Sequence, residues 1–137
     1  MRGFERAILT NPEQISALTE AAVDFLQEQG VDARASHHVG LVLDEILTNL
    51  MTHGQSLNQP ARVKISIGTN KVDGEIIDQG PPFDPKSAPD PALDQPAAER
   101  QVGGLGLFLV RKLSCALEYV REGGENRTKF AIARGGG

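Results

Sequence analysis

Aromatic residues are scarce in this 137-residue chain, at 4%, with no tryptophan, one tyrosine and five phenylalanines, so its core has to be built mostly from aliphatic side chains. Cysteine is nearly absent. Cys115 stands alone, which excludes an internal disulfide framework and a thiolate zinc site. It reads as a small apolar residue in a helix or strand rather than a catalytic thiol, since no histidine lies near it in sequence. No apolar run reaches membrane-spanning length, and the first six residues carry no apolar signal region. Basic charge is not in excess either. The net charge of -4 argues against binding to a nucleic-acid backbone or an anionic membrane surface. Together these absences imply a cytoplasmic chain. The length suits one domain, taken as residues 1–137, and 39% hydrophobic against 23% charged residues fits a globular class.

What is present has clear order. Phe4 to Leu9 reads as a strand. Asn11-Pro12-Glu13 then supplies an N-cap, a first-turn proline and a first-turn acid. Ile15, Leu18, Ala22, Phe25 and Leu26 follow at helical spacing, and Gln29-Gly30 ends that helix. A second helix is predicted from near Ser36 to His53-Gly54, with Val39, Val42, Leu43, Ile46, Leu47 and Leu50 on its apolar face. His37 and His38 belong to its start. Pro60 precedes a strand in which Val63, Ile65 and Ile67 alternate with polar residues, and Gly68 to Lys71 turns the chain into a second strand, Val72 to Asp78. Prolines 81, 82, 85, 89, 91 and 96 crowd the next stretch and resist helix and sheet, which predicts a long loop over about 80–102, of a length that is usually functional or disordered. A helix after Gly103, a strand around Leu117 to Val120 and a last strand over Thr128 to Ala133 complete the chain. The expected fold class is α+β, a two-layer sandwich with helices on one face of a mixed sheet.

Three segments carry chemistry. Glu45 and Asn49 are four residues apart and share a helix face, where a carboxylate can orient or deprotonate a hydroxyl and an amide oxygen can hold Mg²⁺. Asp78-Gln79-Gly80 follows an apolar strand directly. A carboxylate there can accept a hydrogen bond from an exocyclic amine, and Gly80 lets a flat ring approach the backbone. Gly103-Gly104-Leu105-Gly106 opens a helix, whose free N–H groups attract phosphate. Singly, each has an ordinary structural explanation: a solvated helix face, a turn, a flexible helix entry. The ordered combination is far more specific.

In that combination the chain resembles the ATPases that include histidine kinases, DNA gyrase, the heat-shock chaperone ATPase and mismatch-repair ATPases. Within them it is most similar to the short anti-sigma factor serine/threonine kinases, through LVLDEILTN, DQGPPFDP and GGLGLFLVRKL. The resemblance covers nearly the whole chain. It implies a Bergerat-type ATP-binding fold in which 80–102 is a mobile lid. It implies Glu45 as general base or water-orienting carboxylate and Asn49 as the Mg²⁺ ligand. Asp78 would bind the adenine amine with Gly80 alongside, Gly104 and Gly106 would let the chain wrap the phosphates, and Thr128 would support the adenine end. ATP and Mg²⁺ are the implied cofactors. The implied partners are an antagonist protein as phosphorylation substrate, a sigma factor or other effector, and a second copy in a homodimer. Two alternatives come with it: a non-catalytic nucleotide-binding sequestration module, and a detached catalytic domain of a histidine kinase. The chain departs from the family at Thr52, where many relatives carry Lys or Arg, and at Pro82, where a glycine is common. His53 and Arg100 are the candidate replacement cations, with Arg100 otherwise an ordinary exposed loop charge.

Overall fold

The fold was obtained as a computed structural model that describes residues 3–53, 58–82, 84–85 and 104–135. The elements run β1 (Gly3–Leu9), α1 (Pro12–Glu28), α2 (Ala33–His53), β2 (Pro60–Ile67), β3 (Lys71–Asp78), α3 (Gly104–Leu113), β4 (Ala116–Glu122) and β5 (Glu125–Ala133). Most of the lid expected at 80–102, Arg100 included, lies outside the described residues, as does the His53 side chain.

Local chemistry sets most boundaries. Asn11 caps α1, its Oδ1 accepting from the Gln14 N–H at 2.9 Å, and Pro12 occupies the first turn, where a missing N–H costs nothing. Gly30 then adopts φ 90°, the left-handed geometry that closes a helix end. The second helix starts earlier than expected, at Ala33, because Asp32 is its cap: Asp32 Oδ2 accepts from the Ala35 N–H at 3.1 Å. Pro60 is the first residue of β2 rather than its predecessor, a position where proline is tolerated in a sheet.

The sheet order is β1-β2-β3-β5-β4. Every pairing is antiparallel, so the mixed sheet expected from sequence is corrected in that respect. The cause is topological. The crossover through α3 does bring β4 back in the direction of β3, but the β4–β5 hairpin inserts β5 between them. Alternation along β3 and β5 buries Val72, Gly74, Ile76 and Asp78 with Asn126, Thr128, Phe130 and Ile132 on one face. α1 and α2 cover that face. Leu18, Leu26, Val39, Leu43 and Leu47 pack with Phe4, Val63, Val72, Ile76 and Ile132 into one aliphatic core. The opposite face carries Lys64, Glu75, Arg127 and Lys129, with Glu75 paired to Arg127 at 3.6 Å and Lys129 at 4.0 Å. The α+β two-layer architecture with helices on one face is as expected. Cys115 is not in a regular element. It is exposed in the two-residue connection between α3 and β4.

Candidate functional site

The polar residues singled out in sequence fall on three neighbouring elements of the helix-covered face. α2 packs against β3, β5 and α3, and Glu45 meets the start of α3 at Gly106.

Glu45 and Asn49 occupy successive turns of α2, beside the fully buried Leu43 and Leu47. Asn49 is itself buried, at 4% exposure. Its Nδ2 donates to the Glu45 main-chain carbonyl at 2.7 Å. That bond fixes the amide and leaves Oδ1, a hard neutral oxygen, as the side-chain atom outside it. Such a donor suits Mg²⁺, which takes oxygen ligands and keeps waters and phosphates around it. Glu45 is half-buried. Desolvation, helped by the neighbouring Asp44 carboxylate, raises its pKa above the ordinary 4.5. A carboxylate perturbed in that direction is a stronger proton acceptor.

α3 reaches Glu45 through Gly106. A Cβ built on Gly106 would overlap the Glu45 carboxylate, so the two helices approach closely at this point and any side chain here would displace that carboxylate. Gly104 is the first residue of α3, and the first turn carries no acidic side chain, which keeps the helix start favourable for an anion.

Asp78 closes β3 and is buried, at 5% exposure. Its Oδ2 accepts from the Gly80 N–H at 2.9 Å and from Asn126 Nδ2 at 3.1 Å. Oδ1 takes part in neither bond. Thr128, buried on β5, faces Ile76, two positions along the ladder from the Asp78–Asn126 pair and on the same face. Thus the direct support of Asp78 is Asn126, which sequence reasoning had not singled out. Asn126 follows a Gly-Gly turn and looks like turn chemistry. Only the register of β3 against β5 places it opposite Asp78.

Other candidates separate from this cluster. His37 is exposed and His38 half-buried in the first turns of α2, well before Glu45 in the helix. Among the described residues no group of three metal-ligating side chains forms. Thr52 Oγ1 turns back onto its own helix, bonding the Thr48 and Asn49 carbonyls at 3.1 and 3.3 Å. Among the described residues no helix is long and apolar enough to cross a membrane.

A strand-end carboxylate, a Glu–Asn helix turn and a glycine-opened helix, all on the covered face of an antiparallel sheet, define an ATPase-type domain. The profile of the histidine kinase-like ATPase domain matches residues 8–132, and the chain belongs to that family. It is 33% identical over 96 residues to the serine/threonine-protein kinase BtrW of Bordetella bronchiseptica, covering 69% of this chain and 68% of that one. Its fold is similar to that in the crystal structure of the RsbU and RsbW domains of Rv1364c from Mycobacterium tuberculosis. The TM-score is 0.70 at 12% identity, over 98% of this chain and 33% of that longer one, so the likeness is one of fold.

Proposed function

We propose that the chain is an ATP-dependent serine/threonine protein kinase of the anti-sigma type. It would phosphorylate a small antagonist protein and sequester a sigma factor or another effector, exchanging partners with nucleotide and phosphorylation state. The observation that carries the proposal is the meeting of Glu45, on α2, with Gly106, in the first turn of α3, one helical turn from the buried Asn49. Kinase chemistry agrees with the name of the 33%-identical relative.

In this scheme Asp78 and Gly80 receive the base. Asn49 Oδ1 offers an oxygen to Mg²⁺, which neutralises phosphate charge when bound. Gly104 and Gly106 bring main-chain N–H groups of the α3 start to the phosphates. Glu45 orients the attacking hydroxyl and takes its proton, and the raised pKa supports that role. Thr128 backs the base end of the pocket. The active form would be a cytoplasmic homodimer.

Calorimetric titration with Mg-ATP and Mg-ADP tests the pocket. Asp78→Asn should weaken binding, and Asn49→Ala should remove its Mg²⁺ dependence. Incubation with Mg-ATP and the antagonist tests the chemistry. Phosphate should reach a Ser or Thr of the antagonist, and Glu45→Ala should abolish transfer while sparing partner binding. Failure to transfer phosphate where a related kinase succeeds refutes the catalytic role.

Thr52 favours a second reading. Its hydroxyl is committed to the helix backbone, so this position offers no cation to a phosphate. A module that binds nucleotide as a structural ligand and acts by sequestration alone would give tight ATP binding without transfer. A detached histidine-kinase catalytic domain would instead modify a His-bearing partner.

A further inference from the structure

Among the described residues, Asn126 is buried on the covered face, at 2% exposure, with partners on both atoms of its amide. Its Nδ2 faces three acceptors: Asp78 Oδ2 at 3.1 Å, the Gly80 carbonyl at 3.1 Å and the Pro81 carbonyl at 3.1 Å. Its Oδ1 accepts from the Tyr119 hydroxyl and from Arg121 Nη1 at 3.0 Å. Arg121 Nη1 also reaches the Gly80 carbonyl at 2.9 Å. A primary amide is the side chain that fits this place. It donates only from nitrogen and accepts only at oxygen, and the two sets of partners hold it against a flip.

The consequence falls on Asp78. With Oδ2 held by Asn126 and by the Gly80 N–H, the carboxylate has one orientation, and Oδ1 is the oxygen left for a ligand amine. The same amide ties the Gly80 and Pro81 carbonyls, and so the turn against which a base would lie. We propose that Asn126, held by Tyr119 and Arg121, is a positioning residue that sets selectivity for a 6-aminopurine nucleotide by fixing Asp78 and the 78–81 turn. Asn126 has this role only on the base pocket proposed above. Buried networks of this kind confer selectivity because a mispointed acceptor leaves a polar group without its partner.

The experiment is a coupling measurement. The intact chain, Asn126→Asp and Arg121→Gln are each titrated with Mg-ATP and with the Mg complex of purine riboside triphosphate, which lacks the 6-amino group. Asn126→Asp keeps the shape but turns an acceptor toward three acceptors. Arg121 is exposed, so its substitution removes one donor to the Asn126 amide without opening the core. The unsubstituted chain should prefer ATP by about tenfold, the worth of one good hydrogen bond. Asn126→Asp should erase that preference while the deaminated analogue binds as before. Arg121→Gln should reduce it in part. Equal weakening of both nucleotides makes Asn126 a structural residue only and overturns the proposal, as does an unchanged preference in Asn126→Asp. An unsubstituted chain that binds both nucleotides equally removes Asp78 as the amine acceptor. One that binds neither overturns the nucleotide pocket itself, a separate result.

Discussion

Replacing Gly106 with alanine separates stability from chemistry at this site. The added methyl would occupy the place of the Glu45 carboxylate, and its contacts are all with the far end of that side chain. A flexible end can swing away at the cost of a poorer rotamer, about 0.5–1.5 kcal/mol. Alanine returns up to about 1 kcal/mol over glycine through its helix propensity. The two nearly cancel, so the net change should stay within about 1 kcal/mol, or about 4 °C in Tm for a chain of this size. The displaced group, however, is the proposed base. Moving a reacting group by about 1 Å can cost on the order of 10²-fold in rate. Gly106→Ala should therefore keep its melting temperature, judged by calorimetry, and lose most of its phosphoryl transfer in a single-turnover assay. In a Glu45→Ala background the same substitution should have no further effect on transfer, because its target is gone. A fully active Gly106→Ala, or one destabilised by more than about 3 kcal/mol, would refute the reasoning.

Four further outcomes are expected. Glu45 has a folded pKa above its unfolded value, so ionisation costs stability: the penalty is absent below about pH 4.5 and grows as pH rises through the folded value. Glu45→Gln should thus melt higher than the unsubstituted chain at pH 7, with the gap closing in acid, while transfer is lost. Asp32 runs the other way. The Gly135 and Ala35 N–H groups hold its pKa below the ordinary 3.8, so its stabilisation is present above that value and fades as pH falls through the folded one. Asp32→Asn should lower the melting temperature at pH 7 and lose that effect in strong acid. Asn11→Ala removes the α1 cap and should cost about 1 kcal/mol in denaturant unfolding. Leu47→Ala, at a fully buried position against the sheet, should cost about 2–5 kcal/mol in the same assay.

What could be read from sequence follows from how local each feature is. The cap at Asn11, the stop at Gly30 and the alternation of Val63 with Ile65 are set within a few residues, and each element formed where its pattern lies. The Glu45–Asn49 pair was legible for the same reason, because helical spacing puts both on one face. Two other features were not. The strand directions are a property of the crossover: Asp78 and Thr128 sit in strands whose adjacency depends on the β4–β5 hairpin entering beside β3. Asn126 is less visible still. Between a Gly-Gly turn and Arg127 it reads as loop chemistry, and its weight comes from Asp78, which lies 48 positions earlier in the chain. A buried amide with partners on both its atoms is recognisable only once register is known, since a shift of one residue would turn it to the charged outer face beside Glu75 and Arg127. Among the described residues, Asp78 and Asn126 at the ends of β3 and β5 are buried on the side that α1 and α2 cover, where a hydrogen bond is electrostatically stronger than on the solvated side.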